Sequence, residues 1–192
     1  MMRYDPDTTA NVTLTTQSGQ TVTPFRPRPS QITLGDVANG IAKVCRCSGQ
    51  TVHFYSVALH SIYVSEELAA EGYPPRVQLL GLLHDASEAY IADIPAPVKA
   101  KLPRYREMEA QIQSAVYTAL DIEEPTPPES NAIDQADNRL RRYELPALLP
   151  NQDWEFCRPD LGYDLMADST TDVVALFEER AETLVECTDG DA

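Results

Sequence analysis

Residues 77–90 read VQLLGLLHDASEAY, and the fold follows from this stretch. From Val77 to Leu83 it is apolar almost all round, and then His84 and Asp85 follow in immediate succession. An apolar run without a polar face belongs inside a protein, so a helix over 75–90 is expected at the centre of a bundle. Pro75 can open that helix, since its fixed φ suits a first turn. Pro95 and Pro97 break the chain downstream. Successive helical positions point about 100° apart, so His84 and Asp85 can serve one ion only at a helix end or bend.

The flanking segments are also helical. Thr33 can cap a helix over 34–46, with Asp36 near its positive end and Val37, Ile41 and Val44 at helical spacing. A helix over 54–70 places Val57, His60, Val64 and Leu68 on one stripe and ends at Gly72, Pro74 and Pro75. Helices are expected over 104–120 and 128–144, the latter closed by Pro146 and Pro150 and preceded by a linker at Thr126. Residues 150–167 read as a loop with Trp154, the only tryptophan. A last helix starts at Asp168-Ser-Thr-Thr, and its apolar face is expected in the core. Ahead of all these, residues 11–25 hold two β-branched runs flanking Gln17-Ser-Gly-Gln20, the pattern of a β-hairpin. The fold class is therefore all-α, a helical bundle with a short N-terminal β-hairpin. Residues 1–29 are hairpin and connector, 30–187 the main domain and 188–192 a tail.

Composition narrows the function. The 192 residues carry 30 acids against 15 bases, a net charge of −15. Such a chain is repelled by bulk nucleic acid and by anionic membranes, so neither is an expected partner. Three lysines against twelve arginines, with many acids, is a balance that suits concentrated salt, and a halophilic source is one of two even readings. The first residues lack a basic and apolar leader pattern, and no apolar run has the length of a membrane span. A cytoplasmic protein is expected, with Cys45, Cys47, Cys157 and Cys187 as free buried thiols. No GxxxxGK[ST] or GxGxxG motif occurs, which removes the usual signals of ATP-driven work and dinucleotide redox chemistry.

His60 and His84 are two of only three histidines, and both fall on apolar helix faces. Asp137 lies on the apolar face of its helix, between Ile133 and Leu140. A carboxylate aimed at a core is costly unless paired or bound to a cation. Two imidazoles and two carboxylates from three helices can jointly bind one divalent ion within a bundle. Taken singly, a hydrogen-bonded core histidine and a solvated aspartate are the commoner fates of such residues.

The pattern resembles the HD-domain metal-dependent phosphohydrolases: a single His60, then His84-Asp85, then a distant Asp137. The likeness extends to FYSVALHS (54–61), LLHDASEAYIADIPAPVK (82–99) and QADNRLRRYE (135–144), and covers roughly residues 30–145. These blocks look like the compact branch that contains 5′-deoxynucleotidases and small phage-type dATP triphosphohydrolases. The resemblance implies that His60, His84, Asp85 and Asp137 ligate the metal. It implies that Glu88 and Asp93 act on the attacking water and the nucleotide, and that Arg46 and Lys99 bind phosphate. Two positions depart from that pattern. Leu59 stands where a polar residue is common, and Cys47 stands near a position that is often aromatic. Gly162-Tyr163-Asp164 is only superficially like the tripeptide of the cyclic-di-GMP branch, whose further histidines are absent.

Imidazole and carboxylate ligands suit one divalent ion of the Mn, Co, Fe, Ni or Zn type, with Mg possible, better than Ca. Glu88, beside a ligand, can orient or deprotonate water. The expected substrate is a nucleotide, with dNTPs slightly ahead of dNMPs, and the expected assembly is a homo-oligomer. Arg139, Arg141 and Arg142 read as structural or as a subunit contact. The alternative is a non-catalytic, metal- and nucleotide-binding sensor or an interaction protein of the same fold.

Overall fold

The computed structural model describes residues 12–166 and 170–189. The N-terminal hairpin pairs β1 (Leu14–Thr15) with β2 (Thr21–Val22) antiparallel, Leu14 opposite Val22. Gly19 takes φ +89° in its turn. Residue 11 lies outside the described residues, as do 168 and 169, where the last helix was expected to begin.

Eight α-helices follow among the described residues: α1 (Leu34–Ile41), α2 (Val57–Ala70), α3 (Pro75–Leu82), α4 (Glu88–Ile91), α5 (Ala96–Lys99), α6 (Pro103–Ala119), α7 (Pro127–Leu148) and α8 (Thr170–Asp189). The chain is thus an all-helical bundle with a short hairpin. No helix in the described residues is long and apolar enough to cross a membrane.

Local chemistry explains several boundaries. Thr33 caps α1 by accepting the Asp36 N–H at 3.1 Å. The Asp36 carboxylate also receives Thr16 Oγ1 at 2.9 Å, Ser18 Oγ at 2.6 Å and Ser18 N–H at 3.1 Å. One acid at a positive helix end therefore fastens the hairpin to the bundle. Ser56 caps α2 in the same way, accepting from Leu59 N–H at 3.1 Å. Thr126, expected in a linker, caps α7, its N–H donating to Glu129 at 2.7 Å.

The centre of the bundle is α2 rather than the 75–90 stretch. Its buried residues run from Val57 to Ser65 without interruption and include His60, Ser61 and Ser65. It packs against α3, α7 and α8. A Cβ on Gly81 would stand 2.3 Å from Leu68 Cδ1, so glycine permits the close approach of α3 to α2. Helix α8 packs on α1, α2 and α3 through Val173, Phe177, Ala181 and Leu184, a core face as expected. It also continues to Asp189, into the expected tail.

Three boundaries differ from the sequence reading. The first helix stops at Ile41 and the second starts at Val57, because residues 45–56 form a tight excursion closed by a Cys45–Ser56 bridge. The helix expected over 75–90 is broken between Leu82 and Glu88. Helix α7 runs through Pro146 to Leu148, since a proline near a helix end forfeits only one hydrogen bond. The cysteines differ too. Cys45 and Cys47 are half-buried and Cys157 and Cys187 exposed, all four free.

Candidate metal centre

The break in the 75–90 stretch creates the site. After Leu82 the chain makes short-range turns, with Ala86 N–H donating to Leu83 O and Glu88 N–H to Asp85 O. Gln113 of α6 staples this turn from outside. Its Nε2 donates to Leu83 O at 2.7 Å and its Oε1 accepts from Ser87 N–H at 3.1 Å. His84 and Asp85 thereby sit on a turn, where adjacent side chains can face one space.

His60 reaches the same space from α2. Its ring centroid lies 5.4 Å from that of His84. His60, His84 and Asp85 each offer one ligand atom, and these atoms lie within 4.8 Å of one another. Asp137, on α7, brings Oδ1 to 3.0 Å from His60 Nε2. The four residues singled out as ligands are thus gathered from α2, the 83–87 turn and α7.

The orientation of the imidazoles is informative. His60 Nδ1 lies 2.8 Å from Glu144 Oε1, and His84 Nδ1 lies 2.8 Å from Gly81 O. An acceptor at Nδ1 fixes the proton there and turns the Nε2 lone pair toward the site. Both Nε2 atoms are buried and lack an aligned hydrogen-bond partner. Yet carboxylate oxygens stand 3.0 Å and 3.2 Å away, from Asp137 and Asp85. Nitrogen lone pairs and carboxylates converging without hydrogen bonds fit a divalent cation.

Electrostatics are strongly coupled here. Burial alone raises a carboxyl pKa, but His84, His60 and Arg46 hold Asp85 far below the usual carboxylate range. Burial also works against Asp137, but contact with His60 and the charges of His84 and Arg46 keep it at about 2. Both acids are therefore ionised and available as ligands at neutral pH. Burial opposes a charged His84, while Asp85 and Asp137 outweigh it and raise His84 to about 9. A divalent ion at this place competes with protons for the same lone pairs.

Glu144 is the residue that the sequence reading missed. It is fully buried and accepts from Tyr55 Oη at 2.6 Å as well as facing His60. Arg46 Nε lies 3.5 Å from its other oxygen, and Arg46 Nη1 lies 3.7 Å from Asp85. Burial raises the Glu144 pKa, but the charges of His60 and Arg46 and the donated hydrogen bonds bring it below the ordinary value. The usable signal was periodicity. Glu144 follows Leu140 by four and Asp137 by seven, on the inward stripe of α7.

The remaining candidates line an adjoining cavity of about 620 Å³. That volume is within the range of small-molecule sites. Glu88, Asp93, Arg46, Lys99 and Cys47 all border it, with Asp85 and Asp137 at the metal end. Glu88 is buried, and its Oε2 has no partner. Burial, then the charges of Asp85 and Asp93, push it up to about 8 against the pull of Lys99 and Arg46. Asp93 Oδ2 accepts from Cys47 N–H at 2.9 Å and so holds the 46–49 loop. Lys99 lies 3.4 Å from Glu88 Oε1 and 2.5 Å from Glu109 Oε1, a second partner absent from the sequence reading. Cys47, Ser48 and Ala92 all take positive φ, between 52° and 64°. Such backbone costs about 1–3 kcal/mol per residue and clusters where a site must be shaped.

The arginine cluster divides. Arg139 pairs with Glu67 and Glu71, and Arg142 lies over the Phe156 ring. Arg141, in contrast, lines the cavity and donates to Asn138 Oδ1. His53 stands away from the metal centre and bonds Leu165 O at 2.7 Å.

Residues 47–135 match the HD domain family, a span that contains His60, His84 and Asp85. An uncharacterized protein of Rhodobacter capsulatus is 33% identical over 188 residues, covering 90% of this chain and 95% of that protein. This chain belongs to the HD domain family. A shorter likeness links this HD domain to the uncharacterized protein YfdR of Escherichia coli, 40% identical over 85 residues. That match spans 44% of the chain and 45% of YfdR, less than half of either. HD domains are in general metal-dependent hydrolases, and the His60, His84 and Asp85 cluster is a candidate metal site of that kind.

Proposed function

We propose that this HD domain is a metal-dependent phosphohydrolase of deoxynucleotides, acting foremost on dNTPs with release of triphosphate. Hydrolysis of dNMPs with release of phosphate is the second reading. One observation carries the reading. Two unpartnered imidazole nitrogens and two ionised carboxylates converge at one end of a cavity that also holds a buried acid and three cations.

His60, His84, Asp85 and Asp137 would hold the ion. A bound divalent cation lowers the pKa of water and offsets phosphoryl charge. Glu88 would take the proton of the attacking water, burial and the charges of Asp85 and Asp93 raising its basicity. The new bond joins water oxygen to phosphorus, the bond from phosphorus to the 5′-oxygen breaks, and the departing 5′-oxygen takes up a proton to balance the one lost by water. That bond is the same in a monophosphate and a triphosphate, so the number of phosphates accommodated separates the two substrates. Asp93 would support Glu88 and, through Cys47 N–H, the rim of the cavity.

Arg46 and Lys99 would share their charge between protein carboxylates and phosphate. Arg141 lines the cavity and has no carboxylate partner among the described residues, donating instead to Asn138 Oδ1 at 2.7 Å. A cation left over after the protein's own acids are paired supports a substrate with more than one phosphate. A pure sensor has no use for a buried Glu88 that keeps one carboxylate oxygen without a partner.

The test is product identification. The purified protein is incubated with dNTPs and dNMPs in the presence of Mn, Co, Fe, Ni, Zn or Mg. Triphosphate from dNTPs is the expected product. Phosphate from dNMPs alone would favour the second reading, and no release from either class would refute nucleotide hydrolysis.

A further inference from the structure

The cavity lining is of two kinds. It combines the carboxylates of Asp85, Glu88 and Asp137 with an apolar wall of Ile94, Pro95, Leu145, Leu149 and Trp154. A phosphate has no use for an apolar wall, so that wall serves another part of the ligand. Trp154 is the only tryptophan of the chain. Its indole Nε1 is shielded from solvent and has no acceptor among the described residues. Buried indole N–H groups ordinarily find an acceptor.

Trp154 stands on a segment without helix or strand, yet that segment is fixed. Phe156 packs beside Trp154 with ring centroids 5.3 Å apart, and the Arg142 guanidinium covers Phe156 at 5.4 Å. Arg158 stacks over Tyr143 at 4.3 Å and donates from Nε to Tyr143 O at 2.8 Å. Tyr143 Oη donates to Tyr163 O at 2.8 Å, and Tyr63 Oη to Asp164 O at 2.7 Å. A ring on a segment anchored in this way loses little freedom when a ligand lies on it.

We propose that Trp154 is the base-recognition residue of this site, stacking the nucleobase at the apolar part of the cavity lining. The assignment rests on the nucleotide reading above and deepens it. A planar, partly apolar group with hydrogen-bonding edges suits this wall, and a base carries both. Because every base has a π-face, stacking alone sets a preference for nucleotides over base-free phosphates rather than for one base.

The single tryptophan makes a direct test possible on the unaltered protein. Its emission is followed while metal-loaded protein is titrated with deoxynucleosides, dNMPs and base-free 2-deoxyribose 5-phosphate. Base-bearing ligands should change the emission and the base-free phosphate should not. In parallel, Trp154→Ala should lower the ratio of kcat/KM for nucleotide over 2-deoxyribose 5-phosphate by about 5- to 150-fold, mainly through KM. Trp154→Phe should recover much of that ratio. Nucleotide hydrolysis with unmoved emission and an unchanged ratio in Trp154→Phe would overturn the role of Trp154 and leave the nucleotide reading standing. Turnover of base-free phosphate, with nucleotides neither bound nor hydrolysed, would overturn both. Should Trp154→Ala fail to fold, the emission titration and Trp154→Phe still decide.

Discussion

Replacing Glu144 by glutamine keeps the shape of the side chain and removes the charge among Arg46, His60 and Tyr55. The amide oxygen can accept from Tyr55 Oη and His60 Nδ1, which share Oε1, only by turning its NH2 group onto Arg46, and the flipped amide loses both bonds. The amide cannot serve Tyr55 Oη, His60 Nδ1 and the Arg46 guanidinium together, as the carboxylate does at 2.6, 2.8 and 3.5 Å. Arg46 would then be buried with Asp85 as its remaining close acid, 3.7 Å away. Breaking a buried ion pair typically costs about 3–5 kcal/mol. In a domain of this size that corresponds to a melting shift of roughly 6–20 °C. Losing the acceptor that orients a metal-binding histidine lowers metal affinity about 10–100-fold. Tyr55→Phe, which removes one hydroxyl from the same network, should cost only about 1–3 kcal/mol. Metal titration by calorimetry and thermal unfolding of both variants measure these quantities. A Glu144→Gln protein with metal affinity within twofold of the parent and an unmoved melting point would refute the argument that Glu144 orients His60.

His84→Ala and Asp85→Ala should each abolish metal binding and hydrolysis, read by metal content and turnover, while His53→Ala should keep turnover within a few fold. Glu88→Gln should retain metal and nucleotide affinity while the single-turnover rate falls about 10²–10⁴-fold; loss of metal instead would mark Glu88 as a ligand or its support. Gln113→Ala removes both bonds that staple the 83–87 turn, so metal affinity should drop with little change in far-UV dichroism. Asp36 links the hairpin to α1: burial raises its pKa, but the bonds from Ser18 and Thr16 outweigh this and bring it below 3.8. Its stabilisation is complete above the unfolded value and disappears as pH falls through the folded one, so Asp36→Asn should flatten the acid limb of the stability curve below about pH 4.

The helices over 57–70, 103–119 and 127–148 were legible because each repeats apolar residues at three- and four-residue steps. The hairpin was legible from its turn residues, with the glycine at a positive φ. His60, His84 and Asp137 stood out as polar groups on apolar faces, and the resemblance marked Asp85 beside His84; the structure groups His60, His84 and Asp85 and brings Asp137 to 3.0 Å from His60. A side chain whose burial conflicts with its chemistry is a local signal, readable without knowing its neighbours.

What tertiary structure alone decided is how those groups are met. Nothing in HDASEAY forbids a continuous helix, since it lacks both glycine and proline. The chain turns there because Gln113, from a helix some 26 residues on, supplies partners for Leu83 O and Ser87 N–H. Glu144 and Glu109 likewise gain their roles from His60, Arg46 and Lys99 across the bundle. Residues 151–166 carry Gln152 and Trp154 to the cavity with no periodic pattern at all, and the segment is held by contacts to α7 and α2. Periodicity along a chain records which faces are buried. It does not record which distant donor meets which acceptor, and at this site such long-range pairs set the direction of His60 and hold the turn that carries His84.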